Sequence, residues 1–241
     1  MPASFATATF ALNDSQMAVL DPQLDAQRAF DAIRAGGIAI MPMDVGYSLI
    51  GGRPAALARI FDTKRRAPSK LNAMLGNDAI ARDLYQLSTR GWEVYEAITQ
   101  DYDLPLGAVA PYRVGHTMFN NLDADTIARS TKSGTLLMLV NAGRLHAKIT
   151  RLSHAHQFAL FGSSANLSLS GTKFDGQDIE SAIKAIADVV IDYGLVKYHP
   201  WRASSTILNL ETLEVVRIGA CYENLESLLK RHFGVTLPAR R

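Results

Sequence analysis

Two stretches of this 241-residue chain are apolar almost without a break, "GTLLMLV" around Leu136 and "QFALFG" around Leu160. A strand with one wet face alternates apolar and polar residues, and neither stretch does. Both are also short for a helix, so they predict strands covered on both faces of a sheet. A third run, Ile38 to Met41, is of the same kind. Strands of this kind need helices above and below, and helical segments lie between them. "DPQLDAQRAFDAIRAGG" has Asp21 as N-cap, Pro22 at the first helical position and a Gly pair at its end. "RPAALARIFDTKRR" starts a second helix at Pro54, and helices also fit "NDAIARDLYQL", "STRGWEVYEAIT", "AGRLHAKITRLSHA", "QDIESAIKAIA" and "ENLESLLKRHFG". Short strands fit "LNAML" and "DVVIDYG", and "SSTILNLETLEVVRIG" reads as a hairpin about Glu211 and Thr212. The expectation is one α/β domain over residues 21–241 with a partly antiparallel sheet, after an N-terminal extension over 1–20.

Composition narrows the class. The chain is 48% hydrophobic and 20% charged, which is globular, and its net charge of +2 names no partner. Cys221 is the one cysteine, so no disulfide framework forms within the chain. The opening "MPASFATATFALNDSQ" lacks the basic start of a signal peptide, and no stretch is long enough to span a bilayer. These features predict a cytoplasmic protein with no membrane partner.

Several short motifs carry possible chemistry. In "AGGIAIMPMDVGYSLIGG", Pro42 removes a ladder donor and Gly46 permits a turn, so pairing is expected to break there and place Asp44 and Tyr47 on a pocket lip. "TKRRAPSK" gathers Lys64, Arg65, Arg66 and Lys70 at a helix end, where cations also offset the helix dipole. Guanidinium and ammonium groups so clustered suit phosphate. "FGSSANLSLSG" ends a strand in small donors at the kind of sheet edge where α/β proteins bind ligands. Ser204, Ser205 and Thr206 open the hairpin whose returning arm ends at Arg217. His154 and His156 lack acidic or cysteine company, which argues against a metal site, and no P-loop or dinucleotide fingerprint is present.

Taken in order, Pro-x-Asp-x-x-Tyr-x-Leu, Lys-x-Arg, Ser-Ala-Asn and Ser-Thr-Ile followed by Arg-x-Gly resemble the YrdC-like family of threonylcarbamoyl-AMP synthases, over roughly residues 24 to 220. The resemblance implies a single domain with a twisted, mixed parallel and antiparallel sheet, flanked by helices and bearing a concave basic groove. It implies ATP with Mg2+ as cofactors, L-threonine or another small amine and bicarbonate as substrates, and a role in tRNA modification. Double-stranded RNA binding without catalysis is the alternative it offers, with Arg113 joining the basic cluster. By position, Lys64, Arg66, Lys70, Thr135, Ser164, Asn166 and Arg217 would line the nucleotide and phosphate site. Asp44, Val45, Tyr47 and Ser205 would line the substrate pocket, and no covalent nucleophile is implied. The chain departs from the pattern at Met43, Val45, Ser48, Leu75 and Leu139, and two extra residues before Gly171 bring the spacing closer to the YciO branch. A carboxylate buried opposite Val45, Leu75 and Leu139 would lack partners, so the threonine side of the pocket is expected to be apolar or altered.

Overall fold

The computed structural model describes residues 20–65, 72–168 and 170–239. Helix α1 (Pro22–Arg34) leads into strands β1 (Ala39–Met43) and β2 (Gly46–Gly51), then α2 (Pro54–Thr63) and β3 (Ala73–Leu75). Helices α3 (Asp78–Leu84) and α4 (Thr89–Glu96) precede β4 (Leu106–Pro111) and α5 (Ala124–Ala128). Strands β5 (Thr131–Lys132) and β6 (Thr135–Val140) are followed by α6 (Arg144–Ala155) and β7 (Phe161–Ser164). The last elements are α7 (Ser181–Lys184), β8 (Val189–Val190), β9 (Ile207–Asn209), β10 (Val215–Arg217) and α8 (Tyr222–Phe233). The strands form one mixed sheet in the order β10-β9-β4-β6-β3-β7-β2-β1-β8, with β5 added beside β6. The pairs β1–β8, β3–β6 and β4–β9 are parallel and the others antiparallel. Among the described residues no helix is long and apolar enough to cross a membrane.

The helix ends follow from their residues. The Asp21 carboxylate accepts the Gln23 and Leu24 N–H groups at 3.0 and 3.1 Å, satisfying donors that the first turn of α1 leaves open. Helix α1 buries Ala26, Ala29, Phe30 and Ile33 and packs on α6. In α8 the last turn carries Lys230, Arg231 and His232, and the helix ends on Gly234 at φ +67.

Two expectations need correction. Pairing does not break at Pro42: β1 and β2 form a hairpin with Asp44 and Val45 as its turn, and Pro42 lies opposite Tyr47. Tyr47 sends its N–H to Lys173 O and takes the Ala165 N–H on its own carbonyl, both 2.8 Å. Both groups therefore point away from Pro42, whose missing N–H costs this ladder nothing. Strand β6 is not covered on both faces either. Leu136, Met138 and Val140 are buried, whereas Thr135, Leu137 and Leu139 are half-buried on the opposite face.

Behind that half-open face, a ring nitrogen of His146 on α6 lies 3.1 Å from the Leu139 carbonyl. A carbonyl only accepts, so that nitrogen carries the proton. Complete burial drives the His146 pKa down to about 4. An unfolded histidine titrates near 6.5, as a rough reference value, so between the two values the unfolded chain binds more protons. The His146 contribution is therefore whole above the unfolded value and is lost as the pH falls towards 4. Urea unfolding from pH 7 to 4 should show stability declining across this window, and His146→Gln should flatten the slope by up to about 1.4 kcal/mol per pH unit. An unchanged slope in that variant would contradict the assignment.

Candidate functional site

Side chains on a sheet alternate between faces, so strand register decides which residues meet. On one face Ile207 lies opposite Gly107, Gly107 opposite Leu139, and Leu139 opposite Leu75. Ala73 lies opposite Gly162, and Ser164 opposite Ser48. These residues floor a cleft of about 580 Å³. The floor is apolar over Leu75, Leu137, Leu139 and Ile207 and shallow where glycine stands. A Cβ at Gly107 would come within 2.8 Å of Ile207 Cγ1 and 3.3 Å of Ser205 Oγ.

The walls come from four loops. Lys64 follows α2 and is only 3% exposed, so its ammonium needs oxygen partners. It donates to the carbonyls of Ser164 and Asn166, with Asn166 Oδ1 at 3.4 Å. Ser168 returns its N–H to Lys64 O at 3.3 Å. Lys64, Ser164 and Asn166 are thus brought together, with Lys64 bracing the Ser164–Asn166 loop. Arg66 and Lys70 lie outside the described residues.

Across the cleft, Arg217 donates through Nη2 and Nε to Ser205 O at 2.7 and 3.2 Å. Burial pulls its pKa below the ordinary arginine value. This crossing depends on Gly219, where a Cβ would fall 2.2 Å from Ser204 O. Thr206 adds a bond from its hydroxyl to Ala220 O at 3.0 Å. Ser205 and Arg217 line the cleft beside Ser164, Asn166 and Lys64. Thr135 shares the parity of Leu137 and Leu139, but its hydroxyl donates to Lys132 O at 2.7 Å. Lys132 also lines the cleft, and sequence reading does not single it out; the "KSGT" hairpin turn is the signal that could have done so. Among the described residues the lining includes three cations and no carboxylate. Ser163, also lining the cleft, has a buried hydroxyl with no hydrogen-bond partner.

The structure places the other expected pocket residues elsewhere. Val45 is 2% exposed and belongs to the core. Tyr47 is wholly buried, because on β2 it faces away from Ser48, the residue that reaches the cleft. Its hydroxyl lies 2.5 Å from Asp192 Oδ1 and 2.8 Å from Gly194 O, and accepts the Tyr193 N–H at 3.1 Å. Burial and the Asp192 bond hold this phenol above its ordinary pKa. Asp44 lines a second cavity of about 520 Å³ at the start of α6. Burial raises its pKa, and Lys197 at 3.9 Å opposes that rise. Arg113 lies in a third concavity with Arg82 and Trp92. His154 pairs with Asp83 at 2.8 Å, and no cluster among the described residues would hold a metal ion. Cys221 is buried at the start of α8.

The sequence matches the Sua5/YciO/YrdC family model, described as telomere recombination, over residues 31–219. The chain belongs to the Sua5/YciO/YrdC family. No curated protein matches it. Among solved structures, a hypothetical protein of Streptococcus mutans UA159 is similar at 18% identity and a TM-score of 0.70, covering 88% of this chain and 93% of that one. P. abyssi Sua5 complexed with L-threonine has 17% identity and a TM-score of 0.70, covering 90% of this chain and 59% of that one. Full-length HypF in its phosphate- and nucleotide-bound form has 16% identity and a TM-score of 0.57, covering 77% of this chain and 27% of that one. These likenesses concern the fold, and this family member spans about three fifths of Sua5 and about a quarter of HypF.

The placement of Tyr47 has a measurable consequence. Tyr47→Phe removes the acceptor of the Tyr193 N–H and should cost about 1–2 kcal/mol of unfolding free energy. Ligand binding in the cleft, measured by calorimetry, should stay unchanged; weaker binding would return Tyr47 to the pocket.

Proposed function

We propose that the cleft binds ATP and that the protein forms a carbamoyl-adenylate, in the manner of a threonylcarbamoyl-AMP synthase serving tRNA modification. The observation that carries this reading is a cleft lined by three cations, several hydroxyls and no carboxylate. Such a lining suits a polyanion and disfavours a free cation. Similar structures hold L-threonine in Sua5 and phosphate and nucleotide in HypF, which supports the same ligand classes here. Mg2+ fits this donor set only as an ion already chelated by phosphate oxygens, since the lining offers it no carboxylate. Carried in that way, it would neutralise charge on the phosphates.

The chemistry asks little covalent work of the chain. The nitrogen of an amine attacks the carbon of CO2 derived from bicarbonate and loses a proton, giving a carbamate. A carbamate oxygen attacks the α-phosphorus of ATP, and the bond to the bridging oxygen breaks to release pyrophosphate. The residues must align oxygen, phosphorus and leaving group and offset the charge gathering on pyrophosphate. Arg217 and the Ser164–Asn166 loop are held rigidly enough to do this by the bonds described above. Leu75 and Leu139, side by side on the floor, favour an amine whose bound end is apolar.

Pyrophosphate release from ATP with bicarbonate, assayed across the amino acids and small amines, tests the reading. Release should depend on one class of amine, and Arg217→Ala should lower it by roughly tenfold or more, as expected for loss of one charge-assisted contact. Absence of release with every amine, together with no rise in melting temperature on adding ATP, would overturn it.

A further inference from the structure

We infer that Lys132 is a phosphate-binding residue of the cleft and that Thr135 acts through it as a positioning residue. This rests on the reading of the cleft as an ATP site. Of the three cations that line the cleft among the described residues, Lys64 and Arg217 already hold protein oxygens of neighbouring loops. Lys132 is exposed and makes no ion pair among the described residues, and the lining holds no carboxylate to take one. Its ammonium thus has the freedom that the other two lack.

The hairpin around Lys132 is built to aim it. Lys132 pairs with Thr135 across a two-residue turn, so both side chains emerge on the cleft face. The turn residues Ser133 and Gly134 stand at φ +49 and +74, the twisted geometry that two-residue hairpins favour. The Thr135 hydroxyl donates to Lys132 O at 2.7 Å and closes the turn from inside. That proton is committed, so Thr135 has no hydroxyl hydrogen to offer a nucleotide without releasing the hairpin. Strand β5 occupies the place beside β6 that β3 leaves open, which sets Lys132 against the cleft at the Thr135 end of β6.

Calorimetric titration of the full chain with ATP, AMP and inorganic pyrophosphate tests this. Lys132→Gln should weaken ATP and pyrophosphate roughly five- to twentyfold, leave AMP unchanged, and reduce the salt dependence of ATP affinity. Lys132→Arg should restore most of the loss. Thr135→Val should weaken ATP in the wild-type background and add nothing in the Lys132→Gln background, because coupled residues are not additive. If wild-type protein binds ATP and Lys132→Gln binds it equally well, the assignment of Lys132 fails while the proposed function stands. If Thr135→Val weakens ATP to the same extent in both backgrounds, Thr135 contacts the nucleotide directly and the positioning role is overturned. If wild-type protein binds neither ATP nor pyrophosphate, both readings fall together.

Discussion

The register of β6 between β4 and β3 is the constraint on which the rest of this molecule depends. Six consecutive pairs, from Leu106–Val140 to Pro111–Thr135, lock it to β4. In that register Leu136, Met138 and Val140 enter the core, Leu137 and Leu139 pave the cleft, and Thr135 shares their face. A slip of one residue would exchange the two sets and would also move Leu139 O away from His146. Because β5 pairs with the same end of β6, the register also decides where Lys132 stands.

Given the floor, the cleft needs walls that do not collapse onto it. The chain solves this with cations used as braces. Desolvating an ammonium or guanidinium is costly unless oxygens replace its water, so a cation held against the protein favours a loop conformation that presents carbonyls, most of all at the buried Lys64. Lys64 selects the Ser164–Asn166 turn, and Arg217 selects the Ser205 segment. Removing the Lys64 head group would leave the Ser164 and Asn166 carbonyls facing one another. Gly219 serves the second brace by admitting the close crossing of two backbones that any side chain would push apart.

Much of this was legible in the residues alone. Asp21 with Pro22, and Gly234 after three basic residues, mark helix ends through local chemistry, and the structure has those ends. Where a contact spans the chain, local chemistry is silent. Nothing near Lys64 says that its partners lie at Ser164 and Asn166, and nothing near Tyr47 says that its hydroxyl meets Asp192 and Gly194. Pro42 misleads because a missing N–H breaks a ladder only at positions where that N–H faces the partner. Strand β6 misleads for a different reason: leucines under a ligand cleft resemble leucines in a core. Strand β4 escapes notice because "LGAVAP" carries a glycine and two alanines, and Gly107 leaves the room that Ile207 fills.

The same small and apolar residues bear on what the cleft does. The leucine, isoleucine and glycine part of the floor offers a ligand no side-chain hydrogen bonds, so recognition falls to the serines beside it and to the rim, where the cations, further hydroxyls and one amide stand. A site divided in this way holds a molecule by its charged end and leaves the other end to shape and desolvation. On the proposed reading, catalysis at such a site would proceed by alignment and charge compensation, since the cleft is lined by no carboxylate or histidine among the described residues. The half-buried leucines are then a functional cost: apolar surface kept open in the folded protein, stabilised only when something lies upon it.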